Sequence, residues 1–203
     1  MSPQAAIREE GRNIVGFIAQ RLPQVMKYNW FSAPLEKVVS ASEPYYVFPT
    51  GVSLSQISAD GFADVERARP GYSITAARYL HKGHVGQGIW VNDDLVAMGW
   101  YYYNGSSQRK RVTYYLLEPG HTWFHAVWVH SSHRGRGYQK LLIAARSRKL
   151  LEDVHSTVIE TNIDPKNSFS QNNDIKCGFV HQGTIVHIRF SRFNWTWKRV
   201  TNR

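Results

Sequence analysis

One cysteine, Cys177, stands among 203 residues. A lone thiol excludes an intramolecular disulfide framework and a multi-cysteine metal site, so no metal is expected and a reducing, cytoplasmic setting is the default. Long apolar runs are missing too: nothing approaches the roughly 20 residues that cross a membrane. The first stretch, MSPQAAIREEGRN, lacks the positive start and apolar centre of a secretory signal. Acidic residues are scarce, 15 against 25 Lys and Arg, which leaves a formal charge of +10. That excess favours polyanionic company: nucleic acid, an anionic membrane surface or a phosphorylated cofactor. A basic protein with no polymeric partner is an equally good reading, and a homodimer is left open. Internal repeats and low-complexity linkers are absent as well. What is present, 42% hydrophobic and 20% charged residues, suits a globular domain with a proper core.

Periodicity predicts a helix over residues 3–22, with Ile7, Ile14, Val15, Ile18 and Leu22 at helical spacing and Pro23 to stop it. EPYYVFP reads as a short strand between Pro44 and Pro49, and SADGFADVERARPG holds a short helix that ends before Pro70. From residue 84 the pattern sharpens. VGQGIWV and LVAMGWYYY flank NDD as a hairpin. SSQRKR is a charged loop before a β-rich run, VTYYLL, and Glu118-Pro119-Gly120 turns the chain into a strand over residues 122–130. A helix follows over residues 138–152, with Leu141, Leu142, Ala145, Leu150 and Leu151 available for its inner face. STVIETNI is a strand, NSFSQNNDIK a short polar helix and GFVHQGTIVHIRF a final hairpin. The plan is α/β with a mixed sheet.

HSSHRGRGYQK, residues 130–140, lies where a strand hands over to a helix. Amides at a helix start lack internal partners and bind phosphate oxygens, and glycines let the backbone come close. A Walker loop requires Lys-Ser/Thr after its second glycine, where Gly137 is followed by Tyr138-Gln139. A dinucleotide fingerprint requires a third glycine where Lys140 stands. Neither fits.

VHSSHRGRGYQKLL resembles the coenzyme A loop of the GCN5-related N-acetyltransferase (GNAT) family, whose pattern is Arg/Gln-x-x-Gly-x-Gly/Ala. Arg134 and Gly137 fall on its first two fixed positions, while Gln139 replaces the small third residue and is expected to crowd the pyrophosphate. NSFSQNNDIKCGF is similar to a second family segment, matched at Asn167, Ser170, Lys176, Gly178 and Phe179. The resemblance covers residues 84–192. It leaves residues 1–83 as an N-terminal region that contributes to the acceptor site, and residues 193–203 as a basic aromatic tail. It implies a GNAT-like, mostly antiparallel sheet with helices on both faces and a splay between the family's fourth and fifth strands.

The same resemblance implies an acetyl-CoA-dependent N-acyltransferase in which an amine attacks the thioester directly. Backbone groups at Val127, Trp128 and Val129 would hold the thioester and pantetheine arm. Amides of Gly135, Arg136, Gly137, Tyr138, Gln139 and Lys140 would wrap the pyrophosphate beside Arg134, with Asn167 near the arm. Strand alternation puts Trp123, His125, Val127 and Val129 on one face, where His125 is the titratable group. It is either the general base or a packed core histidine, and Glu160 is the acidic alternative. Where many relatives carry an acid tyrosine this chain has Asp174, a poor donor unless buried. Tyr138, water or unassisted departure of the thiolate are the alternatives, and Cys177 reads as a buried filler.

RFSRFNWTWKR alternates aromatic and polar residues and is read as a half-buried edge strand, or as a surface that stacks on a nucleic-acid strand. Two further functions therefore stay open. One is a nucleic-acid-binding or nucleic-acid-directed GNAT-fold protein, with aminoacyl-tRNA as an example. The other is a catalytically silent CoA-binding protein.

Overall fold

Turn chemistry sets the register at the centre of the sheet. The computed structural model describes residues 24–112, 115–153, 156–190 and 193–201, and the helix expected over residues 3–22 lies outside them. β3 (Val85–Val91) and β4 (Asp94–Tyr103) form the expected hairpin. Asn92 and Asp93 turn it with φ of 48° and 70°, the positive pair that a two-residue turn of matching twist requires. β2 (Val52–Ile57) adds antiparallel to β3, and β7 (His121–Val129) adds antiparallel to β4. β8 (Val158–Ile163) then runs parallel to β7. With β1 (Gln24–Pro34), β9 (Val180–Phe190) and β10 (Phe193–Val200), eight strands lie in the order β10-β9-β1-β8-β7-β4-β3-β2. β5 (Lys110–Val112) and β6 (Tyr115–Leu117) pair separately.

Helices cover both faces, as adjacent residues of β4 show. Tyr101 packs with Val38 of α1 (Leu35–Ser42) and with Ile143 and Leu150 of α4 (Tyr138–Asp153). Its neighbour Trp100 packs with Val65 of α2 (Phe62–Ala68) and Ala76 of α3 (Ser73–His81). α5 (Ser168–Lys176) follows β8 and is capped by Asn167, whose side chain accepts from the Ser170 amide at 3.1 Å. The arrangement is the mixed, mostly antiparallel sheet expected. No helix among the described residues is long and apolar enough to cross a membrane.

Several local expectations give way to tertiary structure. Residues 43–49 form no strand; Pro44 opens a 3₁₀ turn at Glu43–Tyr45, and Pro49 has no N–H to give a ladder. The segment from residue 178 to 190 holds one strand, β9, rather than a hairpin. Its central Gly183 serves close approach instead of a turn, since a Cβ there would meet the Arg199 carbonyl of β10 at 2.0 Å. Leu151 is 50% exposed, and the inner face of α4 instead includes Arg146 and Ser147, both fully buried.

Candidate active site

β7 and β8 pair only from His121↔Val158 to Phe124↔Thr161 and then part. At the point of parting β7 carries a bulge. Trp100 faces His125 and Met98 faces Trp128, so Ala126 and Val127 together stand opposite Gly99. Ala126 takes the strain, with φ of 51°. The bulge resets the side-chain alternation. Val127 and Val129 pack with Tyr138 and Leu141 against α4, whereas His125 packs against Tyr79 of α3. The single face expected for Trp123, His125, Val127 and Val129 is therefore split after His125. Trp128 turns its side chain toward the α2–α3 face.

The gap between the strands is a cleft walled by Phe124 to Val127 from β7, Thr161 to Ile163 from β8, and Ile143, Arg146 and Asp174 from the helices. It runs toward a second groove at the start of α4. There Gly135 and Gly137 hold φ of 80° and 85°, and open space surrounds each Cα where a side chain would sit. The Leu141 amide closes the first turn on the Gly137 carbonyl at 3.0 Å, which leaves the amides of residues 138–140 as the helix's unpartnered first donors. Arg134, Lys140 and Lys176 line this groove and no carboxylate does. Positive side chains, free amides and glycine clearance suit a pyrophosphate. Arg136 is exposed and stands outside the groove lining, whereas Tyr138, largely buried, is part of it.

Gln139 lines the groove, with its side-chain amide engaged elsewhere. Its side chain turns inward, donating to Asp174 Oδ1 at 3.0 Å and accepting from Ser170 and Asn173 at 3.2 Å each. The amide thereby ties α4 to α5. Asp174 is buried, and loss of solvation lifts its carboxyl to about 7 against the pull of the Gln139 hydrogen bond and the Arg146 charge. Cys177 is fully buried, and desolvation pushes its thiol up to about 12.

His125 is 7% exposed and stacks on Trp123 with ring centroids 4.1 Å apart. Its Nε2 lies 2.8 Å from His84 Nδ1, one donating to the other. Burial lowers the His84 pKa to about 4 and drives that of His125 well below its ordinary value, so both rings are neutral at pH 7. Glu160 is held elsewhere. It accepts from His121 Nδ1 at 2.7 Å, Lys198 Nζ at 2.9 Å and Trp30 Nε1 at 2.9 Å. Burial alone would raise its pKa, but bonds and charge from His121 and Lys198 keep it below the ordinary value. Residues 161–163 of β8 line the cleft while Glu160 does not.

Two residues were not singled out from the sequence. His84 carries no local signal, since its partner is 41 residues away. Arg146 did carry one: it sits four residues from both Leu142 and Leu150, on the buried face of α4. Among the described residues no cluster of His, Cys, Asp and Glu is arranged to hold a metal ion.

A model of the acetyltransferase (GNAT) family matches residues 52–179, which takes in β2, α2 and α3 as well as the cleft. No curated protein matches the chain. Among solved structures, a GCN5-related N-acetyltransferase from Kribbella flavida is 15% identical with a TM-score of 0.56, over 86% of this chain and 62% of that one. A tandem GNAT protein of the clavulanic acid biosynthesis pathway is 14% identical with a TM-score of 0.57, over 86% of this chain and 54% of its own. A glucosamine N-acetyltransferase region in a fungal multi-domain β-N-acetylglucosaminidase is 13% identical with a TM-score of 0.57, over 89% of this chain and 23% of that protein. The chain thus spans less than two thirds of each of these structures. At these identities the likeness is one of fold.

Proposed function

The chain belongs to the acetyltransferase (GNAT) family, and on that premise we propose that it moves an acyl group from a coenzyme A thioester to an amine. One observation carries the reading: two left-handed glycines free the first amides of α4 beside a cleft where β7 and β8 part. The groove at Gly135 to Lys140 takes the pyrophosphate, with Arg134 and Lys176 as counter-charges. The bulged backbone of residues 127–129 receives the pantetheine arm, and Asn167, at the head of α5, borders it. Family membership makes acetyl-CoA the first donor to test, and the setting is cytoplasmic.

The amine nitrogen attacks the thioester carbonyl, the C–N bond forms, the C–S bond breaks, and the sulfur leaves as thiolate. Asp174 lines the cleft with a carboxyl that burial lifts to about 7, which makes it a proton donor for that thiolate near neutral pH. His125 lines the cleft as a neutral imidazole whose depressed pKa makes it a weak base, so it accepts a hydrogen bond from the attacking amine and the shed proton leaves to solvent. Glu160 keeps a structural role. The acceptor class is a small amine, an amino sugar or a protein amine. Titration calorimetry with acetyl-CoA, followed by turnover against a panel of such amines, tests the reading. Saturable binding and turnover are expected; absence of any coenzyme A binding would sink it, and binding without turnover on any amine leaves a silent coenzyme A-binding protein.

A second reading, transfer to an amine carried on nucleic acid such as aminoacyl-tRNA, draws on one groove. It gathers Arg109 and Arg111 from the charged loop and hairpin with Trp197 and Lys198 of β10. It ranks second because two of these cations are already paired, Arg109 with Glu118 and Lys198 with Glu160.

A further inference from the structure

The inner end of the cleft holds a cation that feels the Asp174 charge but makes no ion pair among the described residues. Arg146 projects from α4 about 14 Å beyond Gly137 at the usual rise of 1.5 Å per residue. It is fully buried and lines the cleft. Its Nε donates to the Leu142 carbonyl and its Nη1 to the Trp100 carbonyl, each at 3.1 Å. The guanidinium carbon lies 4.4 Å from the centre of the Phe124 ring. Gly99 keeps room for it, since a Cβ there would come within 2.8 Å of Nη1. Nη2, closed off from solvent, has no hydrogen-bond partner. No ion pair to the guanidinium occurs among the described residues.

A buried N–H left unbonded is costly, and one carried by a cation inside a ligand cleft leaves room for an acceptor from the ligand. Resting on the coenzyme A reading above, we propose that the acyl group ends in a carboxylate. The donor is then the coenzyme A monothioester of a short dicarboxylic acid, and Arg146 Nη2 donates to the far carboxylate. An acetyl methyl offers no acceptor and leaves Nη2 as it is. The transfer keeps its balance: the amine nitrogen bonds to the thioester carbon, the C–S bond breaks, the sulfur takes a proton, and the product amide carries a free carboxylate. The alternative acceptor for Nη2 is a neutral carbonyl of the pantetheine arm, which every coenzyme A compound presents.

Calorimetric titration of the full chain with coenzyme A, acetyl-CoA, malonyl-CoA and succinyl-CoA separates these outcomes. Malonyl- or succinyl-CoA is expected to bind at least tenfold more tightly than acetyl-CoA. In Arg146→Met that preference is lost while affinity for coenzyme A itself is kept, and Arg146→Lys retains part of it. A wild-type preference below tenfold overturns the proposal even if the variants fail to fold. So does an equal loss for all four compounds in Arg146→Met, which assigns Nη2 to the pantetheine arm. Failure of all four to bind the wild type overturns the coenzyme A reading itself, a result distinct from binding without preference.

Discussion

Asp174 and the His84–His125 pair pull the pH dependence of stability in opposite directions. Asp174 has a folded pKa raised from 3.8 to about 7, so the folded state holds the extra proton in that window and weakens as pH rises through it. The two histidines have folded pKa values depressed below 6.5, so the unfolded state takes their protons first and stability falls as pH drops below 6.5 toward about 4. Two groups outweigh one, and the net expectation is acid destabilisation over that range. Asp174→Asn should steepen it, which denaturant titrations at pH 7, 6 and 5 would read; an unchanged slope would place the Asp174 carboxyl in solvent. In turnover, kcat of the wild type should decline above pH 7 as Asp174 ionises, and Asp174→Asn should lose most of its rate at pH 6, where the proton donor counts. Gly137→Glu tests the other end of the site. Its φ of 85° strains any side chain and the new charge opposes phosphate, so the upward shift in Tm on adding coenzyme A should vanish.

Among the elements, β7 carries the design. Its bulge turns His125 and Val127 to opposite faces and lies where the sheet opens into the proposed donor cleft. Ala126 at φ of 51° tolerates glycine, whereas a β-branched residue there meets its own backbone. Ala126→Val should cost about 1–3 kcal/mol of stability in denaturant titrations and weaken coenzyme A binding, while Ala126→Gly should stay within about 1 kcal/mol. The sequence displayed the hairpin, the glycine loop and the helix it starts, because turn residues and 3.6-residue periodicity are local signals. It could not display the bulge, since TWFHAVWV is a nearly continuous apolar run with no turn residue in it and only the partner strand reveals the extra residue. Gln139 was legible as a departure from the family pattern, but its inward turn depends on Asp174, 35 residues away. The glycine-containing run after Phe179 misled for a related reason: Gly183 answers to a neighbouring strand rather than to a turn.

For the molecule as a whole, the charge of +10 is a long-range property that no single groove uses up. The nucleic-acid reading has a direct test in the salt dependence of oligonucleotide binding. A polyanion seated on Arg109, Arg111 and Lys198 would give log K falling with log salt at a slope near −2 to −3. The paired state of two of these cations leads us to expect a shallower slope, between about −1 and 0, with a Kd no tighter than micromolar. Fluorescence anisotropy with a short RNA between 50 and 200 mM salt reads it. The buried thiol where α5 meets β9 adds a practical consequence. Cys177 is closed to solvent and holds its proton to about pH 12, so alkylating reagents should leave the native chain unmarked. The one cysteine is thus a built-in clock. The rate at which it becomes labelled reports how often the core beneath the site opens, and a donor that binds the native cleft should slow that clock without touching the sulfur.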